Sequence, residues 1–217
     1  MKIRLILCAG ALLLAACSQY DKRHVMHISV ADQRLLLTDR GEPVASYPIS
    51  TSKFGLNSRE GSYGTPVGRH RVAKKVGGGL PVGAVMKSRR FTGEVLPVDA
   101  PGRDPIVTRI LWLHGLEPHN RNSFVRNIYI HGTPEERNIG LPVSYGCVRM
   151  KSRDVIELYN RVGTGARVDI FREPLAARLP KLFPAQATPP PAVTQAAPPS
   201  VPTTTLAGDL PDAPRGL

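Results

Sequence analysis

One cysteine and one histidine in this chain are placed to do chemistry together: Cys147 and His131, sixteen positions apart. A thiol becomes a nucleophile as its thiolate, and histidine is the usual base that produces it. An unperturbed thiol, with a pKa of about 8.5, is mostly protonated at neutral pH, so a neighbour must help to make the anion. Glycines adjoin both residues, at Gly132 and Gly146, where they permit a sharp turn and the close approach of a substrate. The backbone N–H groups of Tyr145, Gly146 and Cys147 are candidates to face an oxyanion developing on an attacked carbonyl.

The stretch that holds these residues runs from Asn127 to Met150. It opens on a short β-type run, Asn127-Ile128-Tyr129-Ile130, continues with His131-Gly132-Thr133, and closes on Ser144-Tyr145-Gly146-Cys147-Val148-Arg149. It resembles the catalytic signature of the L,D-transpeptidase (YkuD-like) domains of bacterial cell walls: His-Gly-Thr/Ser, about a dozen residues, then Ser-x-Gly-Cys-Ile/Val-Arg. Many members carry a second histidine where this chain has Tyr145. A second block, Gly64-Thr65-Pro66-Val67-Gly68, resembles the family's Thr-Pro-x-Gly segment, which lies in the sheet under the site.

The amino terminus reads as an export signal. Lys2 and Arg4 precede an apolar run, Leu5 to Leu14, that is too short to span a bilayer. Leu14-Ala15-Ala16-Cys17 resembles a lipobox, which makes Cys17 the lipidated first residue of a mature, membrane-anchored periplasmic lipoprotein. Ser18 follows it; an aspartate there would argue for inner-membrane retention, so the expectation is the outer membrane. Of the three cysteines, Cys8 leaves with the signal and Cys17 is acylated. Cys147 then remains as a lone thiol in an exported protein, where cysteines ordinarily pair. The formal charge of +12 falls to about +10 without Lys2 and Arg4. For an exported chain such a surface suits anionic wall polymer or lipid headgroups, and nucleic acid is not an expected partner.

The elements that must position the site come from periodicity. Between His24 and Ser50, Met26, Ile28 and Val30, then Leu35 and Leu37, then Ala45, Tyr47 and Ile49 alternate, which predicts three antiparallel strands. Arg69 to Ala73 and Ile106 to Leu113 continue the β pattern. Residues 76–104, with three consecutive glycines and with Lys87, Arg89 and Arg90, show no periodicity. They are expected to be a loop beside the cleft, acting as a lid or as plain surface. Ser152 is the expected cap of a helix reaching Val162, with Asp154 in its first turn, and Ala166 to Phe171 predicts a last strand. His114-Gly115 also follows an apolar run, but only His131 has the threonine and the spacing. No histidine shows metal-ligand spacing, so neither metal nor cofactor is expected. Residues 184–217 hold nine prolines and no aromatic residue, a composition that predicts disorder.

The expectation is therefore a mostly-β domain over residues 24–172, with a short helix after the cysteine motif. It follows a signal at 1–16 and a linker at 17–23, and precedes a tail at 173–217. The resemblance implies a YkuD-like β-sandwich and a cysteine transpeptidase acting on peptidoglycan stem peptides. In that scheme Cys147 attacks the carbonyl of the third, diamino-acid residue of a tetrapeptide stem. D-alanine leaves, protonated by His131, and an amine of a second stem resolves the thioester to a 3→3 cross-link. Gly132, through its carbonyl, or Ser144 orients the imidazole, and Arg149 binds a stem carboxylate or braces the loop. Water as acceptor would make a carboxypeptidase or amidase, and a lipoprotein lysine would make an anchoring enzyme. A catalytically idle wall-binding lipoprotein and a thiol redox sensor are the readings from other classes.

Overall fold

The computed structural model describes residues 20–183. The expected signal and lipid site, and residues 184–217 of the expected tail, lie outside the described residues. Ten strands carry the domain, so the mostly-β expectation holds: β1 (His24–Ser29), β2 (Arg34–Asp39), β3 (Glu42–Pro48), β4 (Gly68–Val76), β5 (Ala84–Lys87), β6 (Arg90–Val95), β7 (Val107–Gly115), β8 (Tyr129–Gly132), β9 (Val148–Met150) and β10 (Arg167–Phe171). The main helix, α1 (Ser152–Arg161), lies between β9 and β10, and a single turn, α2 (Leu175–Arg178), follows β10.

The strands form one hydrogen-bonded network in the order β3-β2-β1-β10-β4-β7-β5-β6, with a branch from β7 through β8 to β9. Most pairs are antiparallel; β1 with β10 and β8 with β9 are parallel. Beyond β3 the chain bends so that Ser50 and Arg149 exchange both backbone hydrogen bonds, at 2.9 Å each. That bridge brings the far end of the network back to β9. The sheet thus wraps one core, in which Met26, Ile28, Leu35 and Leu37 meet Leu111, Ile130, Met150 and Ile170. Val155, Leu158 and Val162 of the α1 region close it. Alternation in each strand selects these residues, because successive side chains of a strand point to opposite faces.

Three sequence expectations change. First, Leu36 is buried although alternation places it opposite Leu35 and Leu37. Residues after β10 fold back over that outer face: Leu36, Phe171 and Leu175 form a second cluster, flanked by Leu179 and Leu182. The Leu175 N–H donates to Asp32 Oδ2 at 2.6 Å and Ser29 Oγ–H to the Glu173 carbonyl at 2.8 Å. The packed domain therefore extends past Arg172 to about Phe183, into the expected tail. The expected linker likewise contributes Asp21, whose carboxylate accepts from Gly163 N–H at 2.7 Å.

Second, residues 76–104 contain a hairpin, β5 and β6. Its turn residues Ser88 and Arg89 are both left-handed (φ 50° and 63°). Only β5 shows burial, and all six residues of β6 are exposed, so the segment lacks the alternation that marks a strand. Third, Ser152 is the first helical residue and the cap position is Lys151. The Ser152 N–H donates to Glu136 Oε1 at 2.8 Å, and its hydroxyl shares a hydrogen bond with Thr108 Oγ1 at 2.9 Å. A carboxylate distant in sequence thus satisfies a helix N–H that a local cap would otherwise serve.

Ile130 is fully buried where β8 joins the core. Ile130→Ala should therefore lower the unfolding free energy by about 2–5 kcal/mol. Val95→Ala, on the exposed strand β6, should change it by no more than about 0.5 kcal/mol. Urea denaturation of the two variants checks the contrast.

Candidate active site

Parallel pairing of β8 with β9 assembles the site. Ile130 lies opposite Val148 and His131 opposite Arg149, so Cys147, one residue before β9, falls beside Tyr129. Ile128, Ile130, Val148 and Met150 face the main core. Tyr129 and Cys147 lie on the other face, in a smaller cluster with Met86 and Ile110, and His131 shares that face by alternation. Parallel strands cannot be joined by a tight turn. The spacing between His131 and Cys147 is the length of that crossover.

Several contacts hold the cysteine loop. Ser144 Oγ–H donates to the Cys147 carbonyl at 2.6 Å and accepts from Gly146 N–H at 3.3 Å. Ser144 is tied through its backbone to Thr51 and Lys53, at 2.9 and 3.1 Å. Gly146 has φ +116°, and a Cβ there would approach the Gly64 carbonyl to 3.2 Å, so the Thr65-Pro66 block is close beneath the motif. Gly132 is equally constrained, since its Cβ would come within 2.8 Å of the Val107 carbonyl. The N–H groups of Tyr145 and Cys147 have no acceptor among the described residues, whereas that of Gly146 is taken by Ser144.

His131 is buried, and its Nδ1 lies 2.9 Å from the Gly132 carbonyl. A carbonyl only accepts, so Nδ1 carries the hydrogen and Nε2 of the neutral ring is left with its lone pair. Of the two candidates for orienting the imidazole, the structure places the Gly132 carbonyl on it and Ser144 on the cysteine loop. Burial pushes the His131 pKa down to about 4; the Gly132 hydrogen bond opposes this and the Arg149 charge adds to it. The Cys147 thiol is half-buried. Its Sγ accepts from Tyr129 N–H and donates to the Asn127 carbonyl, each at 3.4 Å. Burial raises its pKa to about 11, against the Tyr129 N–H, Arg149 and Arg126, which favour the thiolate. The resting pair is thus neutral thiol and neutral imidazole. The proton points to Asn127, with no hydrogen bond formed between sulfur and imidazole.

Arg149 is buried and its guanidinium is paired with Asp104 at 2.5 Å. Asp104 also accepts from the Thr133 hydroxyl. That is the loop-bracing arrangement of the two roles expected for Arg149. Tyr145 is 55% exposed; its hydroxyl accepts from Lys53 Nζ at 2.9 Å, and its ring lies against Phe54 and Tyr63. His114, on β7, shares the sheet face of His131 but lies four residues beyond Ile110, the partner of His131. At a rise of about 3.3 Å per residue that is roughly 13 Å along the strand.

Sequence reasoning passed over Arg126, Glu60 and Tyr63, which line a cavity of about 290 Å³ together with Tyr145 and Cys147. It also passed over Met86, which the hairpin places with Ile110 and Tyr129 in the small cluster that Cys147 packs against. No spacing rule ties these positions to the cysteine.

A family model described as "YkuD: L,D-transpeptidase catalytic domain" matches residues 23–170. The "Probable L,D-transpeptidase YbiS" of Escherichia coli K12 is 31% identical over 156 residues, covering 69% of this chain and 45% of that protein. The "Probable L,D-transpeptidase ErfK/SrfK" of the same strain is 40% identical over 53 residues, 24% of this chain and 17% of that one. The chain thus spans less than half the length of these curated relatives. Among solved structures, L,D-transpeptidase 3 from Mycobacterium tuberculosis aligns with a TM-score of 0.46 at 20% identity, covering 69% of this chain and 61% of that chain.

His70 is buried like His131, between the Gly68 carbonyl and Ser123 Oγ at 3.0 Å each, and burial lowers its pKa to about 4. Both imidazoles are neutral when folded and titrate near 6.5 when unfolded. The unfolded state therefore binds more protons between about pH 6.5 and 4, and stability falls as pH drops through that window. Each contributes up to about 3 kcal/mol by this linkage. Urea midpoints measured from pH 7 to 4 should fall steeply, and His70→Gln should flatten the slope. An unchanged slope would show that His70 is not held neutral.

Proposed function

The chain belongs to the YkuD family of L,D-transpeptidase catalytic domains, and from that premise we propose that Cys147 and His131 transfer acyl groups on peptidoglycan stem peptides. The observation that carries the reading is the hydrogen bond from His131 Nδ1 to the Gly132 carbonyl. It leaves Nε2 of a neutral ring as the acceptor, and a free lone pair is what a general base must offer.

When a stem enters, the thiol turns from the Asn127 carbonyl toward Nε2 and passes its proton there as sulfur attacks. The carbonyl is that of the third, diamino-acid residue of a tetrapeptide stem. Negative charge gathers on its oxygen within reach of the Tyr145 and Cys147 N–H groups, which is where stabilisation acts most strongly on the barrier. The C–N bond to D-alanine then breaks and His131 returns the proton to the departing amine, leaving a thioester on Cys147. The amine of a second stem attacks the thioester, giving up a proton to His131, and the thiol takes one back. The product is a 3→3 cross-link. We place the enzyme in the periplasm, anchored through an acylated Cys17.

A neutral pair behaves differently from a preformed thiolate. Acylation of the wild type by a carbapenem should vary by only a few-fold between pH 6 and 9, because neither His131 nor Cys147 titrates there. In His131→Ala the rate should be lower by roughly 10²–10⁴-fold near neutrality and rise about tenfold per pH unit with the thiolate fraction. Intact mass spectrometry follows the adduct, which should be absent in Cys147→Ala. A wild-type rate that climbs tenfold per unit would remove His131 from the mechanism.

The anchoring is tested separately. Wild-type protein should begin at a lipid-modified Cys17 and partition with membranes, whereas Cys17→Ala should be recovered in the soluble periplasmic fraction. Unacylated, soluble wild-type protein would refute it.

A further inference from the structure

The cavity in front of the nucleophile has a charged wall that the transfer chemistry leaves unused. Arg126 lines it with Tyr63, Ile128, Tyr145 and Cys147. Its guanidinium is held by neutral acceptors only: the Asn57 carbonyl at 3.2 Å, the Gly64 carbonyl at 2.9 Å and Ser62 Oγ at 3.5 Å. Those three contacts use three of five N–H donors, so two remain. No carboxylate among the described residues lies within ion-pair distance of Arg126. Glu60, also in the lining, is exposed. Arg149, by contrast, is buried and neutralised by Asp104.

An arginine that is half-buried, pinned in place and unneutralised is pre-organised for an anion, because its geometry is fixed before the ligand arrives. Burial lowers its pKa, while the neighbouring sulfur, once ionised, and the exposed Glu60 carboxylate, which lies beyond ion-pair distance, both act to raise it. The guanidinium therefore senses the reacting centre. The exposed rings of Tyr63 and Tyr145 supply an aromatic wall on the same cavity. A structural role alone, tying residues 57–64 to β8, would not need a charged group facing the cavity.

We infer that Arg126 binds a carboxylate of the stem peptide and so sets the donor in register with Cys147. This rests on the reading of Cys147 as the nucleophile for stem peptides. The ligand chemistry is a carboxylate close to the scissile carbonyl. It has two sources in a tetrapeptide stem: the terminal carboxylate of the leaving D-alanine, and a side-chain carboxylate on the diamino acid.

The test measures D-alanine release by single-turnover acylation, in wild type and in Arg126→Ala, Arg126→Lys and Arg126→Gln. Three stems are compared: the free acid, the stem with its terminal carboxylate amidated, and the stem with its diamino-acid carboxylate amidated. Removing a charge-assisted hydrogen bond should cost roughly 10- to 100-fold in acylation efficiency. The wild type should show that loss with one of the two amidated stems, which names the carboxylate and needs no variant. Arg126→Ala should show the same loss on the free acid and little further loss on that amide, with Arg126→Lys recovering part of it. Alkylation of Cys147 by iodoacetamide should be unchanged within a few-fold in Arg126→Lys, which keeps a positive charge beside the sulfur. Equal losses on all three stems, with iodoacetamide slowed as well, would mean that Arg126 only braces the loop, and would overturn the inference. Equal efficiency of the wild type on all three stems would overturn it too. If the wild type releases no D-alanine from any stem, the transfer reading itself fails. Carboxylate recognition is then read as the affinity of Cys147→Ala, with and without Arg126, for free-acid against amidated stems, and no difference there refutes it.

Discussion

The parallel alignment of β8 and β9 is the constraint on which the rest of this domain depends. It sets Cys147 beside Tyr129 and Arg149 beside His131, and turns Ile130, Val148 and Met150 into the core on the opposite face. Because a parallel pair needs a long crossover, residues 133–147 must leave the sheet and return. The return path is pinned by the Ser144 contacts and by the Ser50–Arg149 bridge. The reactive groups therefore stand on a sheet locked by buried hydrocarbon, which holds them more precisely than a free loop could.

The electrostatics follow from the same burial. A buried imidazole is driven to the neutral form, and the partly buried thiol beside it keeps its proton. The surroundings do not reverse these shifts: Arg149 lowers both values, and the single hydrogen bond from Nδ1 to Gly132 does not restore the histidine. The proposed cycle accordingly begins with two neutral partners and creates charge only as the carbonyl is attacked. Uncommitted backbone N–H groups beside the sulfur suit that order, since they reward charge where it develops.

The segments around the site divide the work. The β5–β6 hairpin adds Met86 to the cluster that Cys147 packs against, and Asp104 is paired with Arg149. Residues 50–65 underlie the cysteine loop through Thr51, Lys53 and Gly64, and the Gly64 carbonyl accepts from Arg126. One wall of the cavity is thus charged and the other aromatic. The remote pieces that close the fold, Leu175 against Leu36 and Phe171 and Asp21 against Gly163, act on stability rather than on the reacting atoms.

The sequence by itself marked the family, the candidate reactive residues and most of the β frame. Sulfur and imidazole beside glycines mark a candidate nucleophile and base, and alternation at Met26, Ile28, Leu35 and Leu37 marks strands because half-buried strands repeat every two residues. It was silent where a segment is not half-buried, as in the all-exposed β6, and where a distant element covers the outer face, as at Leu36. Ser152 looked like its own helix cap, yet Glu136 serves that helix, because a carboxylate sixteen residues away in sequence is adjacent only after folding. Tertiary structure alone decided that the Gly132 carbonyl, not Ser144, orients His131, that Arg149 is paired with Asp104, and that Arg126 faces the cavity. Hydrogen-bond direction and charge neutralisation depend on angles and distances between strands, and a one-dimensional pattern carries neither.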